Sequence, residues 1–314
     1  MIRWLSCLGL LAVLLTPSPP EAAGAAEAGR LVAITDQDYD NASAARIRLM
    51  DPAVANWNTA AAQKWTWSPT NSNGFSGLTS AWGLPSDVKL RMKSGAYVAL
   101  VTDSRGLAGL ISYPAGQRLW ATNVGSANNP HSIELLPDGN VAVAASTGGF
   151  VRIYKASQGS ASYIAYPLPD AHGVQWDPAR QLLWVLGGSK LAGLKLSGTP
   201  ANPVITEGPV ITLPTAGGHD LTPVLENHDL LWVSTGSTVY QVSKSAEAVV
   251  ASFDQAGIKS ISSMPNAQQV RTSPKAGCRT TWCTDTVNFA VPAATRTLTG
   301  AEIYKARVWS SRYE

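Results

Sequence analysis

The feature that most constrains this fold is a short phrase that returns at intervals of about forty residues, the mark of a repeat architecture. Five segments carry it: Ser86–Met92 followed by Tyr97–Val101, Pro130–Leu136 by Val141–Ala145, Ala171–Trp176 by Leu182–Leu186, Gly218–Val224 by Leu230–Ser234, and Ile258–Ser262 by Gln269–Arg271. Each reads as strand, tight turn, strand. The turns have a mechanism: in Pro137-Asp138-Gly139-Asn140 the proline presets φ and the glycine accepts φ > 0, and Asp177-Pro178 separates the next pair. Further short strands follow, such as Phe150–Tyr154 and Thr238–Val242. Several short strands per unit at this period make the blade of a β-propeller. Anchoring the repeat on Lys89, His131, His172, His219 and Lys259 gives spacings of 42, 41, 47 and 40.

Five anchored units account for residues 86–298. Leu31–Thr35, Arg46–Met50 and Lys64–Trp67 remain at the start, and Ile303–Trp309 at the end. One blade built from both ends of the chain uses these strands and leaves no sheet edge open to aggregation. The expected fold is all-β: a single propeller over residues 29–314, with six blades, closed by its N- and C-terminal strands. A seventh blade fits only if residues 37–86 hold one. Composition agrees, because 14% charged residues with 27 Gly and 20 Pro favour turns and short strands over long helices. A net charge of +3 with no Lys/Arg-rich block argues against a nucleic-acid partner.

The first residues read as a secretory signal peptide, residues 1–28. Arg3 precedes the apolar run Leu8–Leu15, which is too short to span a bilayer, and Ala23-Gly24-Ala25 and Ala26-Glu27-Ala28 fit a small-residue cleavage site. Cys7 leaves with this segment. No later segment is long and apolar enough for a membrane span, so a secreted monomer is expected. Cys278 and Cys283 remain, and an even pair in an exported chain points to a local disulfide. A metal site there would need a second Cys/His pair nearby, and none is present.

In a propeller the first strand of each blade lines the central channel, so repeat-equivalent residues meet at one mouth. The chain holds four histidines, and three share one register; the fourth, His228, falls in a turn. His131, His172 and His219 are therefore candidate catalytic residues, with Lys89, Lys259 and Asp220 as candidate substrate-binding groups. An imidazole near its normal pKa suits proton transfer, and the lysines would hold a carboxylate or sulfate. The alternative role for the three imidazoles is to ligate a divalent metal with one position open. The bland reading is that each His fastens its strand by a backbone hydrogen bond. Asp36, Asp38 and Asp40 form an acidic loop that lacks the Gly and Glu of a calcium loop, so a solvated turn is expected. Trp65, Trp67, Trp176, Trp184, Trp232 and Trp282 lie in or beside strands; they pack between blades, and any that reach the mouth would stack on a sugar ring.

The phrases Pro130-His131-Ser132-Ile133-Glu134-Leu135-Leu136, Ala171-His172-Gly173-Val174 and Gly218-His219-Asp220-Leu221 resemble a family of exported propellers of unassigned function from actinobacteria and fungi. The Pro-His-Ser-Ile phrase is also similar to His-bearing blades of streptogramin lyase and of the amidating-enzyme lyase domain, and oligogalacturonate lyases use His around a propeller channel. These resemblances imply His at the channel mouth for metal binding or proton transfer. Fold likeness does not carry function by itself. Three readings follow: a lyase or hydrolase acting on acidic saccharides, a non-catalytic ligand-binding or scaffold propeller, and a metal-dependent hydrolase of another small molecule.

Overall fold

Strand follows strand because apolar residues recur along each segment and most of the turns between them carry Gly, Pro, Asn or Asp. The computed structural model describes residues 30–225, 227–264 and 266–311, and the expected signal peptide lies outside them. The chain opens with β1 (Val32–Gln37), β2 (Arg46–Met50) and β3 (Gln63–Trp67). Five complete four-stranded sheets follow. They are β4 (Pro85–Lys93), β5 (Ala96–Asp103), β6 (Leu107–Ser112) and β7 (Arg118–Asn123); then β8 (Pro130–Leu135), β9 (Val141–Ala145), β10 (Phe150–Tyr154) and β11 (Tyr163–Pro167). Next come β12 (Ala171–Asp177), β13 (Leu182–Gly187), β14 (Lys190–Thr199) and β15 (Asn202–Thr212), and then β16 (Asp220–Val224), β17 (Asn227–Ser234), β18 (Thr238–Ser243) and β19 (Ala248–Asp254). The fifth is β20 (Ser260–Ser263), β21 (Gln269–Thr272), β22 (Thr286–Ala290) and β23 (Ala294–Thr297). The last strand, β24 (Glu302–Val308), returns to pair antiparallel with β1, with Val32 opposite Val308 and Gln37 opposite Glu302.

The result is a six-bladed propeller in which blade 1 has order β24-β1-β2-β3 and is closed by both ends of the chain. Residues 68–84 hold no seventh blade: they form turns whose Phe75 and Trp82 fill the wedge between blades 1 and 2. The turn Pro137–Asn140 forms as expected, with Gly139 at φ 82° and its N–H donating to Leu136 O at 2.9 Å. The apolar core is six wedges, one between each pair of neighbouring blades. Trp67, Trp184 and Trp232 are buried in these wedges. No helix among the described residues is long and apolar enough to cross a membrane.

The channel is filled by charge rather than left open. Arg307 on β24 donates through Nη1 and Nη2 to both carboxylate oxygens of Asp220 on β16, and through Nε to Asp87 on β4 at 2.9 Å. Lys305 adds a 3.0 Å bond to Asp220. Arg91 grips Glu134 of β8 with two bonds of 2.7 Å, and Lys89 reaches Val174 O of β12. Burial by itself would raise the Asp220 carboxyl, but Arg307 and Lys305 hold it below its ordinary value, so it stays ionised. Removing one partner of such a buried pair strands the other charge without water, which costs about 3–5 kcal/mol. Asp220→Ala is therefore expected to lower the unfolding free energy, read by urea denaturation, by about that amount. A loss below about 1 kcal/mol, the scale of an exposed pair, would contradict this account of the network.

Candidate functional site

The strand registers place Ser86, His131, His172, His219 and Lys259 at equivalent positions, because the residue after each pairs with the end of its neighbour: Asp87 with Thr102, Ser132 with Ala144, Gly173 with Leu186, Asp220 with Ser234 and Ser260 with Thr272. Tyr304 takes the sixth place on β24, two residues before Ala306, which faces Ile34. His131 and His172 each occupy a register shift at the start of the inner strand, an extra residue that re-aims the side chain toward the mouth. Two residues before four of the six ring positions the backbone turns left-handed: Asn129 (φ 55°), Asp170 (φ 55°), Gly217 (φ 75°) and Gly257 (φ 73°). Asn, Asp and Gly tolerate that conformation best.

These turns aim carbonyls at the imidazoles. Nδ1–H of His131 donates to Asn129 O at 2.9 Å, and Nδ1–H of His172 donates to Asp170 O at 2.9 Å with the Asp170 carboxylate at 3.1 Å. A carbonyl acceptor fixes the proton on Nδ1, so Nε2 of each ring carries a lone pair. His219 is arranged differently. Its Nε2 accepts from Lys259 Nζ at 3.0 Å, and its buried Nδ1 has no partner among the described residues. The rings stand edge to face, with centroids 4.4 Å apart for His131–His172, 5.1 Å for His172–His219 and 5.8 Å for His131–Tyr304. Burial, and then the neighbouring His172, pull His131 well below the usual histidine value. Burial, followed by Lys259, brings His219 down to about 3.

Together with Lys259, Tyr304 and the wall residues Gln37 and Trp282, the histidines line a cavity of about 350 Å³. Lys259 makes no salt bridge among the described residues, and burial followed by Lys305 lowers its pKa. A larger cavity of about 470 Å³ opens on the opposite face beside Trp176, but its buried cation, Arg91, is already bidentate on Glu134. The smaller cavity is therefore the candidate site.

Lys89 and Asp220 do not reach this cavity. Lys89 stands three residues beyond the true ring position, Ser86, and lies in the ionic layer facing Glu134. Asp220 is fully buried and spends its oxygens on Arg307, Lys305 and the Ile261 N–H. The three imidazoles do not form a metal-ligating set: no group of three His, Cys, Asp or Glu disposed for a metal is found among the described residues, and the Lys259 ammonium sits on the Nε2 that a metal would need. The acidic loop is not a shared cation site either. Asp36 pairs with Arg48, Asp40 with Arg279, and Asp38 accepts from the Asn41 N–H. Cys278 and Cys283 are joined as a disulfide. Tyr304 and Gln37 were not singled out from the sequence; the apolar phase of the sixth repeat, Tyr304-Lys305-Ala306, carried the signal for the tyrosine.

The chain belongs to a family of unknown function, DUF6528, whose model matches residues 2–311. No curated protein matches it. Among solved structures it is similar to a protein of unknown function from Bacteroides caccae, at 10% identity and a TM-score of 0.57 over 88% of this chain and 97% of that one. It also matches hydrazine synthase of Kuenenia stuttgartiensis at 12% identity and a TM-score of 0.49, over 70% of this chain and 68% of that one. The first of these likenesses speaks for the fold alone.

The low folded-state pKa of His219 gives a stability signature. The unfolded chain takes up this proton near pH 6.5, the folded chain only near pH 3, so the stability contributed is complete above about 6.5 and is lost as pH falls toward 3. His219→Gln, which keeps an acceptor for Lys259 but does not titrate, is expected to lose less melting temperature than wild type between neutral pH and about pH 4. Equal losses in the two proteins would contradict the assignment.

Proposed function

We propose that this cavity is the site of an exported lyase acting on acidic saccharides. The observation that carries the reading is Lys259: a half-buried ammonium facing a cavity, with no carboxylate partner among the described residues. The buried layer beneath adds to the pull on an anion, because it holds Lys89, Arg91, Lys305 and Arg307 against Asp87, Glu134 and Asp220. Lys259 would bind the acid group of a sugar acid, and neutralising that group makes the adjacent C–H more acidic.

His172 is the base best prepared to take that proton. Its Nδ1–H is held by Asp170 and its Nε2 is unengaged among the described residues, whereas His219 accepts from Lys259 through its Nε2 and burial holds the pKa of His131 well below the ordinary histidine value. In the elimination the C–H bond breaks to His172, its electrons form a C=C bond, and the C–O bond to the next sugar breaks. The leaving oxygen takes a proton from water or from the Tyr304 hydroxyl, which lies at the cavity with no hydrogen bond among the described residues. Elimination is favoured over hydrolysis because most glycosidases need a pair of carboxylates, and no Asp or Glu lines this cavity.

The test is turnover of polyuronates, followed by the ultraviolet absorbance of the unsaturated product. His172→Ala is expected to abolish it with the melting temperature preserved to within a few degrees; full activity would remove His172 from the mechanism. Binding of the sugar acid should persist while Lys259 is charged. It should be lost as pH rises through its lowered pKa, below the ordinary 10.5, and lost at all pH in Lys259→Met. Unchanged affinity in Lys259→Met would end the reading, and binding without turnover in the wild type would make the protein a binding module.

A further inference from the structure

On the mouth face, the loops joining the second to the third strand of each blade are short in four blades: residues 104–106, 146–149, 188–189 and 235–237. The two exceptions, residues 38–45 of blade 1 and residues 273–285 of blade 6, are neighbours and fold onto each other. Contacts tie the longer loop to the shorter one and to the end of β1 beside it. Arg279 makes two 2.6 Å bonds to the Asp40 carboxylate, Trp282 Nε1–H donates to Gln37 Oε1 at 3.0 Å, and Tyr39 meets Trp282 in a T-shaped contact at 6.4 Å. Within the longer loop the Cys278–Cys283 disulfide encloses Trp282, and the Lys275 N–H bonds to Cys283 O at 3.0 Å. Among the loops joining second to third strands, these two thus form the one extended wall, with Trp282 on the cavity side.

We propose that Trp282 is the stacking platform for the sugar ring and that its wall makes the pocket recognise the end of a saccharide chain. This rests on the acidic-saccharide reading above. A pyranose presents an apolar face of C–H groups whose partial positive charge suits the negative face of an indole. Trp282 is the one tryptophan that lines this cavity, and it is fixed on several sides before any ligand arrives, so little conformational freedom is lost on stacking. Chain-end recognition follows from the asymmetry. A polymer running through the site would have to leave on both sides, and the wall of residues 273–285 packed on residues 38–45 blocks one of them. The cavity, about 350 Å³, is near the lower end of small-ligand sites and suits one or two rings.

The experiment is calorimetric titration of the whole mature protein with galacturonate and with glycolate, a ring-free acid. Trp282→Ala is expected to weaken galacturonate about tenfold, the scale of one aromatic stacking contact, and to leave glycolate unchanged. Trp282→Phe should retain most of the affinity, and Trp282→Leu, which keeps bulk without a π face, should not. The double variant Cys278→Ser, Cys283→Ser should show a smaller loss for galacturonate alone. With polygalacturonates of increasing length, bound protein should saturate at one per chain end of one polarity. Equal losses for both acids, full galacturonate affinity in Trp282→Ala and Trp282→Leu, or occupancy that grows with chain length would each overturn the proposal. If both acids bind through Lys259 but Trp282 is irrelevant, only this inference falls; if the wild type binds neither acid, the acidic-saccharide reading falls and takes this one with it.

Discussion

The Arg307–Asp220 pair is the interaction on which the rest of this propeller depends. It crosses the channel from blade 1 to blade 5, and through Nε the same guanidinium holds Asp87 in blade 2. Apolar wedges tie each blade only to its neighbours, so they leave the relation between distant blades undefined. The charged layer supplies that relation, with Lys89 and Arg91 carrying it on to blades 3 and 4. Burying these charges is costly in solvation, and the network is tolerable only because its members bond to one another with near-complete satisfaction.

The mouth inherits its electrostatics from this layer. Lys305 donates to His219 O as well as to Asp220, so the strand that completes the ionic core also braces the imidazole beside Lys259. Four cations against three carboxylates leave a positive floor, and burial, aided by charge from this layer, lowers the pKa of His131 and His219 above it. The lowered pKa values of His131, His219 and Lys259 are properties of the fold rather than of any one side chain.

Blades, turns and the terminal closure were legible because each is written locally, in alternation and in Pro, Gly and Asp at turns. The ring was legible in part. His131, His172, His219 and Lys259 share a register that sequence spacing reveals, but Lys89 was placed with them by its charge. The apolar phase gives the true alignment: Val88, Ile133, Val174, Leu221 and Ile261 are equivalent, which puts Ser86 opposite His131. Asp220 looked available because it follows a histidine, yet neighbours on a strand point to opposite faces. What it meets, Arg307, lies 87 residues away along the chain. Trp282 could be singled out only by the loop that carries it, whose packing on Asp40 and Gln37 joins residues from opposite ends of the sequence.

The last strand of the ring also ties the cavity to the closure of the fold. During synthesis the five blades from β4 to β23 precede β24, and Tyr304, Lys305 and Arg307 all arrive with it. Until then Asp87 and Asp220 lack their main cations and the cavity lacks one side of its floor. A polypeptide without β24 therefore has neither the β1–β24 closure nor Tyr304 at the cavity. One strand thus supplies both the cations that satisfy Asp87 and Asp220 and the tyrosine at the cavity.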